Sequence, residues 1–591
     1  MSIRHLSRKS AVTIAAILLL LSAAPRITPQ TSGAAKKYLK KLRQSTFRSI
    51  ERLVDPVTGL PHDRMDAILL DIAPQLAFTR VCVPTTAKSQ GATIEATSCP
   101  DAGCHRAGEL GLKISYSTPP GNFASYNIEA TSSFDVTRAT YLELWAKGEK
   151  GGERFEVVLW SDRLGGFPGR PSSALLSVGR KWTRVRIPVQ DFSSSNVALS
   201  RLFRLSFAFN DAIHPGGVVL IDQVNFVDAD GNPVYIALDE DTNVTNIGLY
   251  MACLVGAVDS GIADPGDAVS KLARTLSSIE RFEKFHGFPQ THNHVSSLRP
   301  GSGDRCISFV DQGYLAVGLM LVRQRFSQLA SRASALLGAM EWSWFYDSAV
   351  GLPYGCRFPD GSASEFHYDF YAADSMLAHF IAIGADQMPA GSWNNLNRGA
   401  DAPRCGNESF FTPGWQGGGL FMQFFPAIFI DDEGTLLRHS ACAFVNDQVC
   451  YYKQLGSSAW GSSAVGIPPF ACTYCGFGCD RDDVLTAHAS VLALDCVERS
   501  SLVQNLRALE GLGGRESVAE GNETFDFGFR TSVNWRTREV GTAYFVLEQA
   551  MVFLSLCNNL NGNSIRQLVC QDPIARRARA LIPEFRSTCA L

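Results

Sequence analysis

Acidic side chains set among apolar ones are the part of this sequence best placed to do chemistry. The stretch Phe366 to Ile383, FHYDFYAADSMLAHFIAI, carries Asp369 and Asp374 beside His367, Tyr368 and Tyr371. Its apolar residues Tyr371, Ala372, Met376, Phe380 and Ile383 fall at near-helical intervals, and on a helix His367, Tyr371 and Asp374 would share one face. In CISFVDQGYLAVGLMLV (Cys306 to Val322) Asp311 is the only charge, and Glu548 stands alone in the same way in YFVLEQAMVFLSL. Burying a carboxylate without compensation is costly. Each of these acids is therefore either a helix cap or buried hydrogen-bond partner, or a catalytic or substrate-binding group of the kind that gathers at sites. Spacing alone leaves both readings open. Trp342, Trp344, Trp393, Trp415, Trp460 and Trp535 sit near loops or helix ends, where flat rings could stack on sugars or pack into a core. Paired acids in an aromatic cleft suggest glycoside hydrolysis, with one carboxyl as acid and another as base or nucleophile.

Other chemistries lack their motifs. There is no Walker loop, GxGxxG fingerprint, GxSxG elbow or HExxH helix. His292-Asn293-His294 reads as a polar loop rather than half a metal site. CTYCGFGC (Cys472 to Cys479) lacks the second ligand pair of a zinc site and reads as a loop staple, as do Cys99 and Cys104. No metal and no cofactor are expected. A net charge of -3 over 591 residues, with no basic stripe, argues against nucleic acid as a partner.

The elements that must position these acids fall into two kinds. Arg4, His5, Arg8 and Lys9 precede the apolar run Ala11 to Leu21 and then Ser22, Ala23 and Ala24, the layout of a secretory signal peptide over residues 1–24. The expected locality is therefore secreted, extracellular or periplasmic, with no stable membrane span after cleavage. In such a compartment the 16 cysteines read as disulfide formers. YLKKLRQSTFRSIERLV (Tyr38 to Val54) places Leu39, Leu42, Phe47, Ile50, Leu53 and Val54 on one side of a helix, which DPVTGLPHDR ends with turn residues. From about Val81 to Val227 the period changes to short alternating strands, LKISYS, YLELWAK, RFEVVLWS, WTRVRIPV, LFRLSFAF and VVLIDQVNFV, as in a β-sandwich. From Asn243 onward the pattern is helical, with long aromatic loops that suit a helical toroid better than a simple bundle.

The helical part resembles the glycoamylase-like family, which includes endo-β-1,2-glucanases and the transglycosylase domain of cyclic β-1,2-glucan synthases. TFRSIERLVDPVTGLPHDR, TNVTNIGLYMACL, HGFPQTHN, ISFVDQGYLAVGL, GLPYG, HYDFYAADSMLAHFIAIGADQMPAGSW, AWGSSA, LTAHASVLAL, FDFGFRTSVN and YFVLEQAMVFLSLCNNL are similar to that family's segments and follow its order. The β part is similar to galactose-binding-like carbohydrate-binding modules. The resemblance implies a multidomain α + β fold: an (α/α)6 toroid with an inserted jelly-roll β-sandwich. Residues 36–70 would give the first toroid helix, 75–230 the sandwich and 235–591 the rest of the toroid.

By the same resemblance Asp311 and Asp374 fall on family acids, and we expect them to be the acid/base pair, Asp311's more apolar run favouring it slightly as the acid. Inversion through an activated water would need carboxyls about 6.5–9.5 Å apart. Substrate contacts are expected from His367, Tyr368, Asp369, Trp415, Trp460, Trp535 and Glu548. Met422 and Ala464 stand where some members carry Glu, which points away from the cyclic-glucan transglycosylases. The expectation is a hydrolase of a β-glucan, β-1,2-linked first, with a polysaccharide or oligosaccharide as partner. A catalytically silent glycan-binding protein and a glucan transglycosylase are the alternatives.

Overall fold

The computed structural model describes residues 32–589 except 68–84, 100–102, 107–110, 135, 138, 162–174, 193–196, 198, 200–201, 232–235, 239–240, 302–304, 415–417, 469–473, 476–480, 521–522 and 542. The leader, Trp415, Cys472 and Cys479 lie outside the described residues. Among those described, the α-helices in chain order are α1 (Ser32–Arg52), α2 (Val244–Asp259), α3 (Pro265–Arg281), α4 (Phe309–Arg325), α5 (Ala330–Ala339), α6 (Met376–Gly384) and α7 (Leu420–Phe424). They continue with α8 (Leu436–Gln454), α9 (Ala487–Leu492), α10 (Arg499–Gly511), α11 (Val546–Leu560), α12 (Ser564–Gln571) and α13 (Pro573–Leu581).

Helix α1 is amphipathic, as its spacing requires. Leu39, Leu42, Phe47 and Ile50 are buried, while Lys36, Lys37, Lys40 and Lys41 face solvent. Its apolar face packs on α10 and α11, with Phe47 meeting Phe553 at 5.2 Å between ring centroids. Beyond it Asp55 Oδ1 accepts from the N–H groups of Val57 and Thr58, and Gly59 adopts φ 68, closing the turn that the sequence DPVTGL encodes.

Residues 85–227 form two five-stranded antiparallel sheets. One runs Thr85–Lys88, Phe123–Phe134, Leu202–Asn210, Glu153–Ser161, Leu175–Val178; the other runs Thr93–Cys99, Gly111–Ser117, Gly216–Val227, Tyr141–Gly148, Thr183–Pro188. Alternate residues of both, such as Leu205, Phe207 and Val157 from the first and Ile114, Leu144 and Ile221 from the second, share one apolar core. The helical residues share another, which extends from Leu39 of α1 to Phe585 near the C-terminus. A small sheet joins three distant segments: Arg64–Ala67 pairs on one side with Ile236–Leu238 and on the other with Ala543–Phe545.

Helix α4 is fixed along its whole length. Its start is held by the Cys306–Cys356 disulfide and by pairing of Ile307 with Arg357. At its other end Arg323 binds Asp572 through both Nε and Nη2, at 3.1 and 2.6 Å. In the middle it crosses α2 with almost no side chain between the backbones. A Cβ on Gly248 would fall on the carbonyl of Tyr314, one on Gly318 would lie 2.5 Å from the carbonyl oxygen of Gly248, and one on Gly313 would lie 2.6 Å from Ala378 Cβ. Disulfides Cys99–Cys104, Cys405–Cys450, Cys442–Cys496 and Cys570–Cys589 also form, while Cys253 and Cys557 are free and buried. Among the described residues no helix is long and apolar enough to cross a membrane.

Three expectations about local structure are corrected. Phe366 to Ile383 is helical only from Met376, so His367, Tyr371 and Asp374 share no helix face. The N–H groups of Tyr368 and Tyr371 are taken by the carbonyls of Pro353 and Asn397 instead of residues four back, which holds the segment open. His292–His294 is a short strand paired with Asp241–Asn243, not a loop, and His294 Nδ1 lies 3.1 Å from Asp241 Oδ1. Within the helical pattern expected from Asn243 onward, the run DVLTAHASVLALDCV is α-helical only over Ala487–Leu492 before a 3-10 turn.

The glycine crossing gives a direct test. Gly248→Ala forces two helix backbones apart and is expected to cost about 3 kcal/mol, the upper end of overpacking effects. Gly338 in α5 has open space around its Cβ position, so Gly338→Ala is expected to stabilise by about 0.4–1 kcal/mol. Denaturant midpoints of the two variants measure both; equal small effects would contradict the crossing.

Candidate active site

A cavity of about 520 Å³ opens where several helices begin. Its wall takes Asn243, Thr245 and Asn246 from the start of α2, Val310, Asp311 and Tyr314 from α4, and Phe421 from α7. Phe545 and Leu547 come from the start of α11, and Asp374 from just before α6. Asp63, His292, Phe366, Tyr368 and Phe425 complete it. Helix starts expose N–H groups and the positive end of the helix dipole, so the cavity floor favours anionic groups and polar ligands.

The two acids on this wall are held differently. Asp311 is the third residue of α4, with Ser308 at the cap position making no side-chain cap bond, so Asp311 is not the cap. Its Oδ1 accepts a 2.7 Å hydrogen bond from the Thr245 hydroxyl on α2. Asp374 sits in the irregular turn before α6, where its carbonyl accepts from the Tyr314 hydroxyl at 3.1 Å. Burial, followed by the charge of Asp311, raises the Asp374 carboxyl from 3.8 to about 7. The side chain keeps partial solvent access through the cavity while protein surrounds it, so it can exchange a proton and still resist ionisation. Burial, set by neighbours in space, thus singles out Asp374 as a carboxyl suited to the acid role.

Aromatic rings enclose the pair. Tyr314 stacks on Phe425 with centroids 3.9 Å apart and planes 9° from parallel. Tyr368 has its phenol pKa pushed up by burial and then by Asp374 and Asp311, so it remains a hydrogen-bond donor facing them.

The structure brings Asp311, Asp374 and Tyr368 to one cavity; of the other expected contacts Trp415 lies outside the described residues, and the rest are placed elsewhere. His367 lies 2.9 Å from Asp347 Oδ2 and stacks on Tyr354 at 4.7 Å. Asp369 is half-buried, with its carbonyl engaged by the Asn397 N–H. Trp535 donates its indole N–H to the Asp482 carbonyl and carries Arg536 over its ring. Trp460 is partly buried against the helical core, with Asn505 bonding its backbone. Glu548 is 2% exposed and accepts from Thr531 at 2.8 Å, behind the wall rather than on it. The ion pairs and core edges that hold these side chains are invisible in the sequence. Conversely, Asp63, Thr245, Asn246 and the rings of Phe421, Phe425 and Phe545 were missed. The signal for Asp63 was the charged end of DPVTGLPHDR, where turn chemistry explained Asp55 and Gly59 but not Asp63.

Residues 86–239 match the family model of carbohydrate binding domain 30. The chain is 22% identical over 297 residues to the cyclic beta-(1,2)-glucan synthase NdvB of Rhizobium meliloti, a match covering 47% of this chain. It spans only 10% of that curated relative's length. Among solved structures, a beta-1,2-glucanase from Parabacteroides distasonis superposes with a TM-score of 0.54 at 12% identity, over 85% of this chain and 97% of that one. The endo-beta-1,2-glucanase of Chitinophaga pinensis, in complex with sophorotriose and glucose, gives 0.50 at 14% identity, over 58% of this chain and 88% of that one. At these identities the likeness is one of fold. Together the matches support the resemblance to the glycoamylase-like family, with a carbohydrate-binding module.

The site has a titration signature. An acid with a higher pKa folded than unfolded stabilises the fold most at low pH; here that contribution is full below about pH 4 and lost as pH rises through about 7. Carboxyl infrared or ¹³C NMR signals are expected to show Asp374 titrating near pH 7, and Asp311→Asn is expected to lower that midpoint. A midpoint unmoved by Asp311→Asn would show that the two carboxyls do not interact.

Proposed function

We propose that this protein is an exported glycoside hydrolase acting on a β-glucan, with a β-1,2-linked chain the first substrate to test. The observation that carries the proposal is Asp374, protonated near neutrality and set with Asp311 in one aromatic-lined cavity. The matched carbohydrate-binding region and the fold shared with β-1,2-glucanases support the substrate class. Residues 1–24 would be removed on export. Residues 36–70 and 235–591 would close an (α/α)6 toroid, and residues 75–230 would be its inserted sandwich.

In this mechanism Asp374 gives its proton to the glycosidic oxygen as the bond to the anomeric carbon breaks. Asp311 takes a proton from a water that attacks the same carbon from the opposite face, so one water is consumed and the configuration inverts. The Thr245 hydroxyl holds Asp311 in place, and Tyr368 donates toward the charge that forms. Proton transfer of this kind contributes about 10²–10⁴ in rate. A second reading, transfer of the cleaved glucan to another sugar instead of to water, is favoured by the likeness to the glucan synthase. Against it, Met422 and Ala464, in place of family Glu residues, are both fully buried and offer the cavity no further acid.

The test is reducing-end release from a panel of α- and β-glucans. A hydrolase is expected to release new ends from one glucan, with at least hundredfold loss in Asp374→Asn and in Asp311→Asn, and with kcat falling as pH rises through about 7. Chain-length redistribution without new ends would establish transfer. Binding with neither outcome, surviving both substitutions, would establish a silent glycan-binding protein.

A further inference from the structure

Besides Asp311 and Asp374, the cavity wall carries a third carboxylate, Asp63, from the N-terminal part of the chain. We propose that Asp63 binds the hydroxyls of a glucosyl unit and so sets the position of the glucan chain against Asp311 and Asp374; this rests on the hydrolase reading above.

Asp63 is unusually well fixed. Its N–H donates to the Asp241 carbonyl at 2.8 Å, and its own carbonyl accepts from the Val546 N–H at 3.0 Å, so both faces of its peptide are engaged. Its Oδ1 accepts a 2.7 Å hydrogen bond from Asn246 Nδ2, and Asn246 is 1% exposed in the first turn of α2. The Asn246 N–H is in turn capped by Asn243 Oδ1 at 3.1 Å. The carboxyl therefore sits between the starts of α2 and α11, where the helix dipoles favour negative charge.

The surroundings fit a sugar. Phe545 and Leu547 lie on the same part of the wall, giving an apolar surface beside an acceptor group, the pairing that recognises a pyranose by face and by hydroxyl. The neighbouring Arg64 guanidinium lies over the Phe545 ring at 5.3 Å. Glu548 lies behind the wall, its carboxyl pushed up by burial against the pull of its Thr531 hydrogen bond, while Asp63 itself lines the cavity. Ordering of this carboxyl by bonds from outside the ligand means that hydroxyls meet a preformed acceptor.

The experiment compares wild type with Asp63→Asn on linear β-1,2-glucan, by initial rates across substrate concentration and pH. KM is expected to rise at least tenfold, with kcat within threefold and its fall near pH 7 unchanged. In parallel, calorimetry measures a β-1,2-linked glucosyl oligosaccharide binding to Asp374→Asn and to Asp374→Asn/Asp63→Asn; at least tenfold weaker binding to the double variant is expected. Asp63→Glu keeps the charge at the helix starts and displaces the carboxyl by one methylene, so it should also raise KM if Asn at this position unfolds. Unchanged KM and unchanged oligosaccharide affinity would overturn the proposal, as would losses confined to kcat and thermal stability. A wild type that binds the oligosaccharide through Asp63 without cleaving any glucan would sink the hydrolase reading and leave the assignment of Asp63 standing.

Discussion

The contact on which the site depends is the crossing of α2 and α4, where glycine brings two helix backbones together. Gly248 faces the carbonyl of Tyr314 and Gly318 faces the carbonyl of Gly248, so neither helix can rotate or slide without a backbone clash. That constraint fixes Thr245 against Asp311, a 2.7 Å bond between adjacent helices, one turn from the crossing. On its other side α4 meets α6 through Gly313 and Ala378, which places Asp374 near Asp311. The placement of both acids thus depends on positions where glycine lets the helices approach closely.

The same arrangement explains why acids can occupy such an apolar core. Asp311 and Glu548 are each the third residue of a helix, Asn246 is the third of another, and Asp63 lies against two helix starts. In the first turn, unpaired N–H groups and the helix dipole offset part of the desolvation cost. Asp374 lies just outside α6, and burial raises its carboxyl toward neutrality.

How much of this was legible in the sequence follows from the range of each interaction. Helical period placed α1, α4 and α11, and alternation placed the strands, because both patterns are local. A lone charge in an apolar run marked Asp311 and Glu548, since uncompensated burial is costly wherever it occurs. The segment before α6 misled, because Tyr371 and Ala372 keep helical spacing while the Tyr371 N–H donates to the Asn397 carbonyl and the Ala372 carbonyl accepts from the Gly414 N–H. His367 and Trp535 misled for the same reason, since Asp347 and Asp482 decide where those rings go. Asp63 was hidden among turn residues; its partner Asn246 lies 183 positions away.

That separation is itself a consequence of topology. The chain leaves the helical part along Arg64–Ala67 and returns along Ile236–Leu238, and these two strands pair with each other, Ala67 opposite Ile236 and Met65 opposite Leu238. An excursion of such length can begin and end at neighbouring positions with little effect on the core it interrupts, which is why the proposed insertion of a sandwich is physically easy. The third strand of the sheet, Ala543–Phe545, runs into α11, and Asp63, Asn243 and Phe545 at the ends of these segments all line the cavity. The root of the β part and one wall of the site are therefore the same few residues.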